Sequence, residues 1–419
     1  MRKLRSIPVV RRPRRPVPAV GEELEHGGDR QVTSNVTSIS RVRAAARDKA
    51  ERAKVNNRAA TALLVVAVVL IVIGLGSTQS ASSVVGIDQA ADRFYFFKKQ
   101  LLGVGIGTLA LLITSRIDYR IYRKLATPFL ILCVGLLIAV PYVSPTIGGA
   151  QRWIPLAGFN LQPSELAKLA VVLTLALVLD RKARLLGRFW HFFVPVVAIV
   201  GSVGFLMMRQ PDLGTLIVIG AAAMAVVMTS ATPFRYVVLT TTASASAATM
   251  LAFSESYRLR RLDGFLDPWG TASDQGYQLV QSYYALSNGG LFGVGLGASR
   301  ARWFYLPNAH TDFIFAIIGE ETGLIGSLTV VALFTVLAFA GWIVALRAPD
   351  SFGRMVAAGI TVWLSLQALV NIGGVLGLLP ITGIALPFVS FGSAALIVSM
   401  AALGILVNIA QQGVPAIRK

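Results

Sequence analysis

Long apolar runs recur along almost the whole chain; Ala60–Leu75, Leu101–Ile113 and Leu328–Leu346 are three of them. Several reach the roughly 20 residues needed to cross about 30 Å of hydrocarbon. They lack the residue-by-residue alternation of barrel strands. In lipid the other structure that pairs every backbone N–H and C=O is the helix. The pattern therefore predicts an all-α, polytopic transmembrane bundle of about ten helices. The runs lie near 59–77, 97–114, 126–143, 163–180, 191–208, 212–230, 235–253, 313–346, 353–378 and 392–411. The eighth is long enough to tilt or to extend beyond the bilayer. The first begins too late for a signal peptide and reads as a true span.

Basic residues gather at alternate connections. Arg116, Arg120, Arg123 and Lys124 follow the second run, and Arg181, Lys182, Arg184 and Arg188 follow the fourth. Arg235, then Arg347 and Arg354, then Arg418 and Lys419 continue the alternation. By the positive-inside rule these connections and both termini are cytoplasmic. The opposite connections, 144–162, 254–312 and 379–391, then face outward. The longest, between the seventh and eighth helices, carries Trp269, Tyr277, Tyr283, Tyr284, Phe292, Trp303 and Tyr305. Those aromatics suit partly ordered structure at a membrane interface. Long loops in compact proteins are usually functional or disordered, which places function on the outer side.

Composition agrees: 55% of residues are hydrophobic and 14% charged, against about 25% charged in a soluble domain. The net charge of +19 does not indicate nucleic acid, because residues 1–58 hold 15 Lys/Arg against 6 Asp/Glu in a polar stretch without apolar periodicity. This segment reads as a disordered cytoplasmic tail held near anionic membrane lipids; its Arg11-Arg12-Pro13-Arg14-Arg15-Pro16 cluster is a candidate docking site. Residues 59–411 form the transmembrane domain, and 412–419 a short cytoplasmic tail. The single cysteine, Cys133, lies in an apolar run and reads as an inert buried thiol.

Charges inside a membrane are expensive and so mark candidate sites. Glu165 and Lys168, at i and i+3, share a helix face, either as a plain stabilising pair or as part of a polar cavity that Arg152 joins. Arg209-Gln210-Pro211-Asp212 makes a turn in which Asp212 suits a helix cap. The sharpest feature is Tyr305-Leu306-Pro307-Asn308-Ala309-His310-Thr311-Asp312-Phe313, which leads into the eighth run. Asp312 there is either a helix N-cap, with His310 snorkelling at the interface, or a general base toward a sugar hydroxyl, its pKa raised by partial desolvation. Glu320 and Glu321 lie deeper and are expected to shape the field or pair with a buried cation. The glycine-rich Gly289–Gly297 stretch has no preceding strand, so it is a sharply turning segment and not a phosphate loop. Arg258, Arg260, Arg261, Arg300 and Arg302 make the long loop basic, suited to a diphosphate or to anionic headgroups.

Six ordered motifs carry a family resemblance. They are Gly148-Gly149-Ala150-Gln151-Arg152-Trp153-Ile154, Gln162-Pro163-Ser164-Glu165-Leu166-Ala167-Lys168, Gln210-Pro211-Asp212-Leu213-Gly214-Thr215, Gly276-Tyr277-Gln278, the Tyr305–Phe313 run, and Pro387-Phe388-Val389-Ser390-Phe391-Gly392. Over residues 60–411 the chain resembles the shape, elongation, division and sporulation (SEDS) family. The long basic tail and Ile317-Ile318-Gly319-Glu320-Glu321 resemble its cell-division branch more than its elongation branch. The resemblance implies a ten-helix peptidoglycan glycosyltransferase that joins lipid II units and releases undecaprenyl diphosphate. It implies Asp312 as the essential aspartate and base, and Glu165, Lys168 and Arg152 at the cavity. Gln162, Gln210, Asp212, Gln278, His310, Thr311 and Ser390 follow as further cavity or substrate contacts. It also implies a class B penicillin-binding protein as partner, with other division proteins reached through the basic tail. A divalent cation, Mg or Mn, at the leaving diphosphate is an expectation on the same grounds.

Two positions depart from the family pattern: Asn308 stands where an acidic residue is usual, and Phe391-Gly392-Ser393-Ala394 where Tyr-Gly-Gly-Ser is usual. The alternatives are a lipid II flippase, an elongation polymerase and a non-catalytic scaffold. A base at the outer face separates polymerase from flippase, since transport needs none. The family expectation also places the chain at the division septum.

Overall fold

The computed structural model describes the backbone over residues 26–145, 151–156, 159–303 and 305–413, with side chains from Val55 onward except at Leu156, Phe159 and Ala252. The motif glycines Gly148 and Gly149, the terminal Arg418 and Lys419, and residues 1–25 of the expected disordered tail lie outside the described residues; the remainder of that tail, from His26, is helical and continuous with the first span. The chain parts into two units, Met1–Glu51 and Arg52–Lys419, and the second of these builds the helical bundle.

The helices are α1 (His26–Ala90), α2 (Tyr95–Arg116), α3 (Tyr122–Val143), α4 (Pro163–Arg181), α5 (Phe189–Val196), α6 (Ser202–Met208), α7 (Leu213–Thr229), α8 (Phe234–Ala252), α9 (Ser256–Leu266), α10 (Tyr277–Gly289), α11 (Ile314–Leu346), α12 (Ser351–Val375) and α13 (Ser393–Gln412). Strands β1 (Ile154–Leu156) and β2 (Phe159–Leu161) form a small antiparallel hairpin just before α4. Each apolar run is occupied by a helix or, for 191–208, by α5 and α6 joined through a π turn at Val197–Gly201. Pro195 lies just before that turn, where it removes a ladder hydrogen bond. Among the described residues seven helical stretches are long and apolar enough to cross a membrane, and an eighth if α8 and α9, bent by 95°, are one broken span. The α4 helix falls outside that set through its charges, and α7 through its length of 17 residues.

The centre of the bundle is α4, flanked by α3, α7 and α12; α13 packs on α2, and α11 on α12. Most residues of α4, α12 and α13 are buried, whereas α2 and α3 expose Leu109, Leu112, Ile131 and Leu132. The buried charges of α4 belong inside, where protein can pair them, and the apolar exposed faces of α2 and α3 suit contact with lipid.

Two further boundaries differ from the sequence expectation. The α1 helix does not stop near residue 77 but runs on to Ala90. Its polar continuation is buried because the hydroxyls find partners: Ser82 donates to the Thr78 carbonyl and Ser80 to Glu321. The eighth run is not one continuous helix. At Gly323 (φ 68°, ψ −162°) α11 breaks between a short, fully buried first part and a long second part. That left-handed φ is open to glycine at little cost.

Candidate active site

At one end of the bundle Pro163 occupies the first turn of α4, where its missing N–H costs nothing, and Glu165 follows where the helix dipole favours a carboxylate. Lys168 is 1% exposed and Glu165 5%. The ammonium lies 2.7 Å from Glu165 Oε2, donates to Gln367 Oε1 at 2.7 Å and sits 5.0 Å from the Trp363 ring centroid. The contact with Glu165 is one of charge, off the geometry of a hydrogen bond; the directed bond goes to Gln367. Pairing, an amide and an aromatic face together make a buried ammonium tolerable.

A polar ladder continues from there along α12. Gln367 also accepts from Trp363 Nε1 and donates to the Ala385 carbonyl. One turn on, Asn371 donates to the carbonyls of Ile384 and Asp312, both at 2.8 Å. Neither amide is among the residues the sequence marks by charge; the signal they do carry is their i, i+4 spacing in an apolar helix.

Asp312 closes the ladder. It is half-buried beside a small cavity of about 10 Å³ with Phe313, Asn371, Thr382, Gly383 and Ile384 in its lining, close to what one water occupies. Among the described residues its carboxylate makes no hydrogen bond or ion pair. Burial pushes its pKa up to about 6; Arg261 and Arg152 lie close enough to pull the other way, and Asp212 adds to the rise. Although part of the residue reaches the surface, the dense surroundings make desolvation the larger effect. The helix-cap alternative does not hold: Phe313 is the residue at the cap of α11, and no side chain caps it.

His310 does not snorkel. Its ring is wedged between Phe96 (4.9 Å) and Phe391 (5.7 Å), and burial lowers its pKa to about 4, leaving a neutral imidazole at neutral pH. Thr311 turns its hydroxyl to the Asn308 carbonyl. The same carbonyl accepts the Thr311 and Asp312 N–H groups, and Asn308 itself has φ 55°. So this departure from the family pattern does reach Asp312, through the backbone, from a left-handed position that asparagine tolerates. The other departure braces the site: Phe391 donates its N–H to the His310 carbonyl and packs on Phe96.

The remaining candidates divide. Arg152 donates to the carbonyls of Gln210 (3.1 Å) and Pro211 (2.5 Å), which leaves further N–H groups free beside Asp312. Gln210 is structural, donating to the Leu137 carbonyl. Asp212 is the N-cap of α7, accepting from Thr215 N, with the Ser164 hydroxyl at 3.5 Å. Ser390 is structural too: its hydroxyl accepts the Leu386 N–H, and its carbonyl accepts from Gln100 of α2. Gln162 and Gln278 are half-buried, with no side-chain hydrogen bond among the described residues. Of the loop arginines, Arg258 is spent on the Leu251 carbonyl and Ser254, whereas Arg261 is exposed and acts on Asp312.

Glu320 and Glu321 stand apart from this site. Glu320 accepts from the Ser299 hydroxyl and from the N–H groups of Arg300 and Ala301; Glu321 accepts from Ser80, with Arg302 within electrostatic reach. They hold the long loop to α11. The glycine-rich stretch plugs the break at Gly323: the Gly290 carbonyl receives the Leu324 N–H, while Val294 and Gly295 donate to the carbonyls of Glu320 and Glu321. Unwound backbone at membrane depth is tolerated where protein re-satisfies it, as here.

No three His, Cys, Asp or Glu residues converge to hold a metal ion among the described residues. The acid nearest Asp312 in effect, Asp212, is engaged in capping, and the other charges around Asp312 are cationic. Among the described residues the donor set around Asp312 does not fit a resident divalent cation.

Over residues 60–414 the chain matches the sequence profile of the cell cycle proteins that groups FtsW, RodA and SpoVE. The chain belongs to this family. A probable peptidoglycan glycosyltransferase FtsW of Geobacter metallireducens is 41% identical over 349 residues, which are 83% of this chain and 93% of that protein. Stage V sporulation protein E of Bacillus subtilis is 39% identical over 351 residues, 83% of this chain and 96% of that one. A chain from a peptidoglycan synthase complex that coordinates polymerization and crosslinking has a similar fold, with a TM-score of 0.69 and 25% identity over 84% of this chain and 98% of that one. Thermus thermophilus RodA gives a TM-score of 0.63 and 26% identity, covering 84% and 96%.

Proposed function

We infer that this multi-pass membrane protein is a peptidoglycan glycosyltransferase that polymerises lipid II at the outer face of the bacterial cytoplasmic membrane during cell division. Asp312 is the general base in this reading. The observation that carries the chemistry is an unpaired carboxyl, raised to about 6, beside two guanidinium groups that no carboxylate among the described residues neutralises. The base takes the proton from the 4-hydroxyl of the acceptor sugar as that oxygen attacks the anomeric carbon of the donor. The bond from that carbon to the diphosphate breaks, and undecaprenyl diphosphate leaves with the electron pair. Arg152 and Arg261 stand where charge grows on the departing group, which favours the transition state more than the ground state. A divalent cation on the diphosphate would have to draw its ligands mainly from substrate and water.

The division role is supported by the higher identity to relatives named FtsW, 41%, than to RodA, 26%. A class B penicillin-binding protein is the partner, crosslinking the strand as it emerges. Both termini are cytoplasmic, and the basic tail reaches other division proteins near anionic lipid at the septum. The test is polymerisation of lipid II by the full chain with its partner. Asp312→Asn is expected to lower the rate by about 10²- to 10⁴-fold, the usual worth of a general base. Ordinary glycan strands from this variant would rule out Asp312 as base, whereas absence of strands from the unaltered chain with its partner would favour the flippase reading.

A further inference from the structure

We infer that Asn371 is a positioning residue for Asp312: its amide clamps the aspartate's backbone and the turn behind its carboxylate into one rigid unit. Asn371 is 5% exposed and lies in α12, one turn beyond Gln367. Both amide hydrogens are used, one on the Asp312 carbonyl and one on the Ile384 carbonyl, each at 2.8 Å. The Ile384 end matters because Gly383, with φ 73°, forms the wall facing the base. A Cβ there would stand 3.5 Å from Asp312 Oδ2. One side chain thus sets the position of the carboxylate and of the surface it faces.

Burial of this amide is not explained by its own satisfaction. Its Oδ1 is buried without a partner, and Asn371 shares the small cavity with Asp312 and Thr382. A buried amide with an unmet acceptor costs stability, whereas an apolar side chain of similar volume would not. Retaining it makes sense where alignment of a reacting group is at stake, since misplacement by about 1 Å can cost 10²-fold in rate. The charged groups around Asp312 come from other elements: Arg261 on α9, and Arg152 and Asp212 in the preceding connections, with the neutral His310 two residues back. The only ionisable side chain of α12 is Arg354, in its first turn, and residues 376–392 contain none. Changing Asn371 to an uncharged residue therefore alters placement and solvation of Asp312 without altering its charged neighbours.

This inference rests on the reading of Asp312 as base, and the experiment separates the two. Asn371→Ala, Asn371→Asp and Asn371→Ser are made in the full chain with its partner, beside Asp312→Asn, and lipid II polymerisation is followed across pH. The Ala and Asp variants should lose roughly 10- to 100-fold in kcat, with KM for lipid II within about twofold. Ser, which keeps one donor, should fall between them and wild type. In the Ala and Ser variants the acid limb of kcat/KM should move to lower pH as the loosened carboxyl gains water, whereas in the Asp variant the added carboxylate opposes that move. A rise in KM alone, an unmoved acid limb in the Ala and Ser variants, or failure of all three to fold would overturn the inference and leave Asn371 a packing residue. Ordinary polymer from Asp312→Asn would instead overturn the base itself.

Discussion

The two ends of the bundle treat charge in opposite ways. At one end Arg123 lies 3.2 Å from Asp180 and 3.1 Å from Asp350, Arg120 lies 3.8 Å from Asp350, and Asn408 holds the Tyr119 N–H and the Ser115 carbonyl. Each charge has a partner on another helix, and the set ties α3, α4, α12 and α13 together. At the other end Asp312, Arg152 and Arg261 are near one another, yet none is joined in an ion pair among the described residues. The Gln210 and Pro211 carbonyls take up part of Arg152, while Asp312 faces a small cavity and Arg261 is exposed. Paired charge holds helices in place; charge left unpaired near a cleft is available to a substrate. The Lys168–Glu165 pair lies between these cases, neutralised yet buried beside the ladder that leads to Asp312.

The largest effect that would sharpen this contrast comes from that middle pair. Lys168→Met leaves Glu165 buried without a cation, which should cost about 3–5 kcal/mol of stability. Adding Glu165→Gln should return much of it. Thermal melting in detergent reads both variants. If the single variant melts like wild type, the pair is not the structural charge its 2.7 Å contact implies.

How much of this was legible beforehand depends on the demands of lipid. Continuous apolar runs are obligatory for spanning helices, so the helices stood out at once, and the ordered motifs brought Asp312 forward. The end of a run is a weaker signal. The polar Ser77–Ser83 segment reads as a connection, but Ser80 and Ser82 find acceptors and α1 continues. The break at Gly323 was hidden because a glycine in an apolar run looks like any other until the φ is known. Glu320 and Glu321 looked like site residues by cost of burial alone. Their partners, the Ser299–Ala301 backbone and Ser80, come from distant parts of the chain. Gln367 and Asn371 are neutral amides in an apolar helix, and only their i, i+4 spacing marks them in the sequence.

A second test bears on the unpaired end. A base must be ionised, and its pKa of about 6 is above the ordinary carboxylate value of 3.8. Asp312 is therefore charged above about pH 6 and loses function as pH falls through that point. The kcat/KM of polymerisation should drop about tenfold per pH unit below it, the behaviour of a single protonation. An acid limb near 4 would mean that the carboxyl is solvated in the working enzyme and that burial does not tune it.

The smallest effect belongs to the paired end. Arg123 is partly exposed, at 35% for its side chain, so its two carboxylate contacts are screened by water. Its ring contact with Phe352 adds a little. Arg123→Ala should therefore cost only about 1 kcal/mol, near the upper range for such pairs. Polymer yield per folded molecule should stay within about twofold of wild type, because that residue touches nothing on the ladder from Lys168 to Asp312. High salt should shrink the difference in melting temperature between variant and wild type, as screening weakens the contacts. A loss of rate larger than the loss of folded protein would break the contrast between the two ends. It would show that the clamp around Asp350, at the start of α12, sets the position of Gln367 and Asn371 further along the same helix.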